Sequence, residues 1–319
     1  MGVRDTRTCR SRREPQGSGQ AGEQGSRRGE RYADARAASG RLTAAVRMSA
    51  LAVNVDAVNA LAVVEPYPTD EEVAVRLEDV TKVFGDGASP LLAIDRLNLE
   101  VHRGELVCLL GASGCGKSTI LNLVAGLETP TLGRVEVPAG STTLMFQEAA
   151  LFPWLTVEQN VGMPMRLRGT SRSDRSSEIR ELLELVRLDR FAKHRPHQLS
   201  GGMRQRVALA RALARHIEVL LMDEPFGAVD AITRDLLHED LVRVRGETGV
   251  TILFVTHSVR EATRLGDRIV VLSSRPGRVL EEFTIPGDGS PAVHEQTAAP
   301  LLPQITEVLR SEIGRHSGG

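Results

Sequence analysis

Cysteine is scarce: Cys9, Cys108 and Cys115 are the only three in 319 residues. Their spacing suits neither a disulfide framework nor a zinc site, which points to a reducing compartment. Long apolar runs are missing as well. None approaches the roughly 18 residues a membrane-crossing helix needs, so the chain is expected to sit on a membrane at most. No charge dominates, because 40 Lys plus Arg face 41 Asp plus Glu for a net charge of −1. Without an overall basic field, nucleic acid is not an expected partner. Lysine itself is nearly absent, 3 against 37 Arg, a mark of a GC-rich genome that says nothing about activity. No internal repeat is found. The 41% hydrophobic and 25% charged content is ordinary globular usage, which excludes collagen-like, coiled-coil and wholly disordered chains.

Residues 1–47 stand apart. They hold 11 Arg against 5 acidic residues and no Leu, Ile or Phe before Leu42, whereas the remainder from Met48 carries a balance of −7. Nothing in the first segment can build a core, so residues 1–72 are expected to be an Arg-rich disordered arm and linker. Arg12-Arg13 is not followed by the apolar stretch of a twin-arginine export signal. Met48 opens more ordinary composition and is an alternative start of translation.

From residue 73 the pattern is α/β. Residues 73–80 alternate apolar and polar, residues 91–101 give a second strand, and the solid run at 106–110 reads as a buried parallel strand. Further strands are expected at 219–222, 251–255 and 268–272, separated by helical stretches, which implies a mostly parallel sheet covered on both faces. The strand signal vanishes between Leu151 and Gln198, where helical spacing predicts an inserted helical lobe at about 148–200. Residues 287–319 are expected to be a linker and an amphipathic surface helix over 302–313.

Chemistry concentrates in a few motifs. Gly111-Ala112-Ser113-Gly114-Cys115-Gly116-Lys117-Ser118-Thr119 matches the phosphate-loop pattern and lies between a buried strand and a helix, where that pattern must lie. Its glycines let backbone N–H groups wrap a phosphate, the helix aims its positive end at the same anion, Lys117 adds a charge and the Ser118 hydroxyl can ligate Mg²⁺. Cys115 reads as a small loop residue. The strand at 219–222 ends in Asp223 and Glu224, at the edge where α/β proteins bind ligands. Asp223 suits Mg²⁺ through water, and Glu224 suits general-base activation of the attacking water. Leu199-Ser200-Gly201-Gly202-Met203-Arg204-Gln205 opens a helix that Ser200 can cap, a second anion site without a lysine of its own.

Together with Gln147, Asp223-Glu224-Pro225, Gly227-Ala228-Val229-Asp230 and Thr256-His257, these segments resemble ABC-type ATPases in order and spacing over residues 73–286. The resemblance implies a P-loop NTPase with a RecA-like core, an antiparallel β subdomain and a helical insertion, binding ATP and Mg²⁺. It implies a homodimer in which the Ser200-Gly201-Gly202 segment of one subunit, with Gln205 a turn further on, closes over the triphosphate held by the other. Phe84 resembles the aromatic that stacks on adenine. Gln147 resembles the glutamine that touches Mg²⁺ or the attacking water. His257 resembles the histidine that contacts the γ-phosphate and orients Glu224, and Asp230 the acid that communicates across the dimer. Val229, Ser258 and Arg260 depart from the family's usual Leu, Asp and acidic residue, while every phosphate-contacting position is intact.

A narrower resemblance, to importer ATPases for nitrate, sulfonates and taurine, comes from residues 151–157, from Pro196-His197-Gln198 and from Ser274-Arg275-Pro276-Gly277-Arg278. It implies a peripheral protein at the cytoplasmic face of the membrane, a permease docking on the helical lobe near Trp154, and indirect coupling to a solute-binding protein. An exporter subunit is one alternative and a soluble ABC ATPase acting on nucleic acid another. The single phosphate loop and the short segment from Gln147 to Leu199 argue against the second.

Overall fold

The computed structural model describes residues 72–85, 89–138, 140–287 and 291–316. The Arg-rich arm, Met48, Cys9 and the linker as far as residue 71 lie outside the described residues. Strands β1 (Val73–Phe84), β2 (Leu91–His102) and β4 (Leu132–Glu136) form an antiparallel sheet with β1 in the middle. In the second sheet β3 (Leu106–Leu110), β5 (Thr142–Met145), β6 (Val219–Asp223), β7 (Thr251–Thr256) and β8 (Arg268–Leu272) run parallel. Strand β9 (Val279–Thr284) pairs antiparallel with β8, giving the order β5-β6-β7-β3-β8-β9. The expected parallel sheet therefore carries one antiparallel edge, and β4, β5 and β9 are strands the sequence reading did not place.

Strand β3 lies between β7 and β8, and all five of its residues are buried. Because side chains alternate across a strand, Leu106, Cys108 and Leu110 join the core under the helical lobe and α5 (Ala231–Thr248). Val107 and Leu109 join the core shared by the antiparallel sheet and α1 (Lys117–Val124). Each fully buried Leu or Val contributes about 1.5–3 kcal/mol, so this strand is pinned from both faces, and the loop that leaves it starts from a rigid point. Burial also raises the Cys108 thiol well above its ordinary value, so that the side chain is an inert apolar filler.

The helical lobe comprises α2 (Val157–Leu167) and α3 (Arg172–Leu185), followed by short 3-10 turns at Asp189–Phe191 and Pro196–Gln198. Helix α2 starts at a capping box: Thr156 Oγ1 accepts from Gln159 N, and Gln159 Oε1 accepts from Thr156 N. One turn in, the fully buried Asn160 donates to the carbonyls of Phe152, Leu155 and Thr156 and accepts from Phe152 N. That single amide fixes the shape of the Phe-Pro-Trp segment before the helix.

Helix α4 (Gly201–Leu213) joins this lobe to the core through Asp240 of α5, whose side chain is 1% exposed. Asp240 accepts from Arg206 of α4 at 2.7 Å and from Arg243 at 3.2 Å, with Arg187 of the lobe 3.7 Å away. Replacing it leaves a cluster of guanidinium groups without its buried counter-charge. Asp240→Asn is expected to cost about 2–3 kcal/mol, less than a wholly buried pair because the arginines are partly exposed. Urea unfolding reads this directly, and an unchanged midpoint would contradict it.

The C-terminal region is more integrated than the surface helix the sequence suggested. After α6 (Val259–Leu265) and α7 (Pro291–Thr297), α8 (Leu302–His316) inserts fully buried Ile305 into the main core. Glu312 on the same helix is only 5% exposed.

Candidate functional site

The residues expected to handle a nucleotide meet where the parallel strands end. Residues 111–119 leave β3 and enter α1, with Gly114 at φ +79° and Gly116, at the N-cap of α1, at φ +104°. These are left-handed values that favour glycine. A Cβ at Gly116 would also lie 2.5 Å from Ile94 Cδ1 and 3.2 Å from Ala93 O, so a side chain there would have to push both aside. Cys115 is buried beneath the loop. Lys117 is 6% exposed, and its Nζ donates to Gly111 O at 2.8 Å and Ala112 O at 2.9 Å.

Among the described residues no carboxylate pairs with Lys117, and no acidic residue occupies the first turn of α1. A nearly buried ammonium ion and an uncompensated helix start therefore sit together, an arrangement completed by an anion. A cleft of about 280 Å³ opens in front of them, lined by Phe84, Ser113, Gly114, Lys117, Ser118, Thr119 and Glu224 among others. Phe84 ends β1 with Lys82 Nζ 4.8 Å from its ring centroid, and its half-buried ring forms one wall.

Across the cleft, Glu224 follows β6 with φ +45°, a strained conformation for a side chain of this size. The turn is held by Glu224 N donating to Val255 O at 3.1 Å and Gly227 N donating to Glu224 O at 3.1 Å. His257 follows β7, and its Nδ1 lies 3.0 Å from Glu224 Oε2. Strands β6 and β7 are neighbours in the sheet, which is why residues 33 positions apart come within hydrogen-bonding distance. A carboxylate oriented by an imidazole beside a phosphate cleft can accept a proton from water. Asp223 closes β6, half-buried. Gln147 is exposed, and its Nε2 lies 3.0 Å from the position a Cβ on Gly227 would take.

Ser200, Gly201 and Gly202 are not among the residues lining this cleft. Ser200 caps α4 by accepting from Met203 N at 3.2 Å. A Cβ at Gly202 would lie 2.4 Å from Thr233 Cγ2, so the glycine lets α4 and α5 approach closely. Gln205, expected on the nucleotide side, instead points inward: it is 5% exposed and its Nε2 donates to Gln147 O at 2.6 Å. It is a strut between the glycine-rich helix and the segment after β5. Asp230 caps α5, accepting from Thr233 N at 3.0 Å, and hydrogen bonds with Thr233 hold its carboxyl below the usual range.

The cleft also contains Arg275, from the loop after β8, which had been read only as part of a family motif. Its position depends on a contact with Gly114, 161 residues away. Its charge was visible in the sequence, but its neighbour was not.

The ABC transporter family model matches residues 94–227. The nitrate import ATP-binding protein NrtD of Synechocystis sp. is 44% identical over 223 residues, 67% of this chain and 84% of that protein. The taurine import ATP-binding protein TauB of Burkholderia pseudomallei is 45% identical over 215 residues, 65% of this chain and 83% of that protein. Among solved structures, the ATP-binding cassette MJ0796, a dimer in a post-hydrolysis state bound to ADP and Pi, has a TM-score of 0.58 at 34% identity. That match covers 67% of this chain and 99% of the cassette. A phosphate loop facing a Glu–His pair on a parallel sheet and these relatives lead to one conclusion: the chain belongs to the ABC transporter family, as an ATP-binding, ATP-hydrolysing subunit of the importer type.

Proposed function

We propose that this subunit drives uptake of a small oxyanion-type solute, namely nitrate, taurine or an aliphatic sulfonate, through a separate permease. The solute reading is carried by relatives named for nitrate and taurine import. In the cycle, residues 111–119 cradle the ATP phosphates, Lys117 neutralises them and Phe84 stacks on the base. Glu224, oriented by His257, takes the proton of the attacking water. Ser118, Asp223 and Gln147 would hold Mg²⁺, which would shield the charge on the phosphates. The described residues contain no cluster of three or more His, Cys, Asp or Glu, as suits a cation held mainly by substrate phosphate and water. Because Ser200, Gly201 and Gly202 lie off the cleft of their own chain, a second copy of the subunit supplies them, and Asp230 lies at that junction.

The permease docks beside Gln147. A groove of about 630 Å³ lies between the core and the helical lobe, lined by Phe146, Phe152, Met163 and Leu167 among others. Phe146 is 51% exposed and Leu167 81%, and Trp154, 66% exposed, adjoins the groove with its ring centroid 5.7 Å from that of Phe152, an apolar surface that water alone covers poorly. Arg211 fixes its floor by donating to the carbonyls of Ala149 and Ala150. In this reading the groove receives a short cytoplasmic helix of the permease, and the subunit works at the cytoplasmic face of the membrane. Among the described residues, no helix is long and apolar enough to cross one.

Two experiments test the reading. Cells lacking the gene are offered nitrate, taurine and alkanesulfonates separately as sole nitrogen or sulfur source. Loss of uptake of one solute, restored by wild type but not by Lys117→Ala, supports the proposal, whereas unchanged uptake of all three overturns it. For the groove, a Phe146→Ser plus Trp154→Ser variant is expected to keep ATPase activity within twofold while losing co-purification with the permease and most uptake. Retained uptake would place docking elsewhere.

A further inference from the structure

Residues 273–278, between β8 and β9, pass beside the phosphate loop and lie outside the part of the chain that the family model matches. They are pinned to β2: Gly277 N donates to Ala93 O at 2.8 Å, Gly277 O accepts from Asp95 N at 3.1 Å, and Arg278 pairs with Asp95. A Cβ on Gly277 would lie 2.4 Å from Cys115 O, so the two loops are in close contact there. From this seat Arg275 reaches the crest of the phosphate loop. Its Nη2 and Nε lie 3.3 and 3.4 Å from Gly114 O, and its side chain lines the cleft.

The other side of the loop is held from the C terminus. Ser274 N donates to Glu312 Oε1 of α8 at 2.8 Å, and both residues are buried. A carboxylate buried this far needs hydrogen-bond partners, and the amide beside Arg275 is one of them. Buried Glu312, Ser274, exposed Arg275 and the Gly114 carbonyl thus form a continuous line from α8 to the cleft.

We infer that Arg275 is a positioning residue for the nucleotide site and that Glu312 braces it, so that helix α8 tunes the affinity of the phosphate loop for ATP. Gly114 sits in a left-handed turn at φ +79°. Anchoring its carbonyl preorganises the loop, which otherwise has to order itself as the nucleotide binds. The guanidinium also keeps positive charge at the rim of a cleft that receives a polyanion. The effect belongs to binding, not to proton transfer, because Arg275 meets Gly114 and Glu312 meets Ser274, while Glu224 hydrogen-bonds with His257.

The inference rests on residues 111–119 being the phosphate-binding loop, and Lys117→Ala, expected to weaken ATP binding by about 30-fold or more, checks that separately. Steady-state ATPase kinetics and titration of a fluorescent ATP analogue are measured for Arg275→Ala, Arg275→Lys, Glu312→Ala and the Arg275→Ala plus Glu312→Ala double variant. Arg275→Ala is expected to raise KM about fivefold with kcat within twofold, and Arg275→Lys to fall between it and wild type. Glu312→Ala is expected to raise KM about threefold alone and to add nothing once Arg275 is gone, the non-additivity of residues acting through one another. If Glu312→Ala does not fold, Glu312→Gln, which keeps an acceptor oxygen but no charge, takes its place with a smaller shift of the same kind. Unchanged KM in Arg275→Ala, with binding weakened in Lys117→Ala, overturns the role of Arg275. Equal KM factors for loss of Glu312 with and without Arg275 overturn the brace.

Discussion

Glu224→Gln is expected to lower ATP turnover by about 10²- to 10⁴-fold, the range over which a positioned general base contributes, while ATP-dependent dimerisation persists. The substitution is nearly isosteric, and the amide oxygen can still meet His257 Nδ1, which lies 3.0 Å from the native carboxylate. The strained backbone at φ +45° is the same for Gln as for Glu. What disappears is the proton acceptor, together with a negative charge that lines the same cleft as Lys117. Losing that charge favours bound ATP and hence the closed dimer, so chemistry and association move in opposite directions. Phosphate release measures the first and light scattering with and without ATP measures the second. Turnover within threefold of wild type would remove Glu224 from the mechanism, and loss of both functions would make its role structural.

The motifs that name the family were legible because each is local. Residues 111–119 fold within one strand–loop–helix unit, and Asp223 and Glu224 end an apolar strand, so residue type and neighbours were enough. What the sequence left unread depends on partners far along the chain. Asp240 becomes a buried hub only when Arg206 and Arg187 arrive from other helices. Gln205 turns inward to meet Gln147 O, 58 residues away. Strands β4 and β5 have five and four residues, with at most one buried position each, so neither shows the alternation that marks a longer strand. Helix α8 reads as amphipathic, but only the fold reveals that Ile305 enters the main core and that Glu312 meets the Ser274 amide.

Lys117→Ala gives a different signature, in which two measurements move oppositely. In the protein without nucleotide, Lys117 is a nearly buried cation satisfied by the carbonyls of Gly111 and Ala112 and, among the described residues, by no counter-charge. Carbonyl hydrogen bonds recover only part of the desolvation cost of an ammonium ion. Its removal is therefore expected to leave the thermal midpoint without ATP unchanged or slightly higher. With ATP the balance reverses, because truncating one member of a close charge pair costs about 2–5 kcal/mol of binding. That corresponds to a loss of affinity of about 30- to 4,000-fold. A ligand that binds only the native state stabilises it by RT ln(1 + [L]/Kd), so millimolar ATP that raises the wild-type midpoint is expected to leave the variant's almost where it was. Thermal unfolding of both proteins with and without ATP and magnesium salt reads the two effects in one experiment. An ATP-induced rise equal to that of wild type would show that Lys117 does not neutralise the bound phosphates. A large fall in the midpoint without ATP would show that the buried ammonium ion is a structural element first and a nucleotide ligand second.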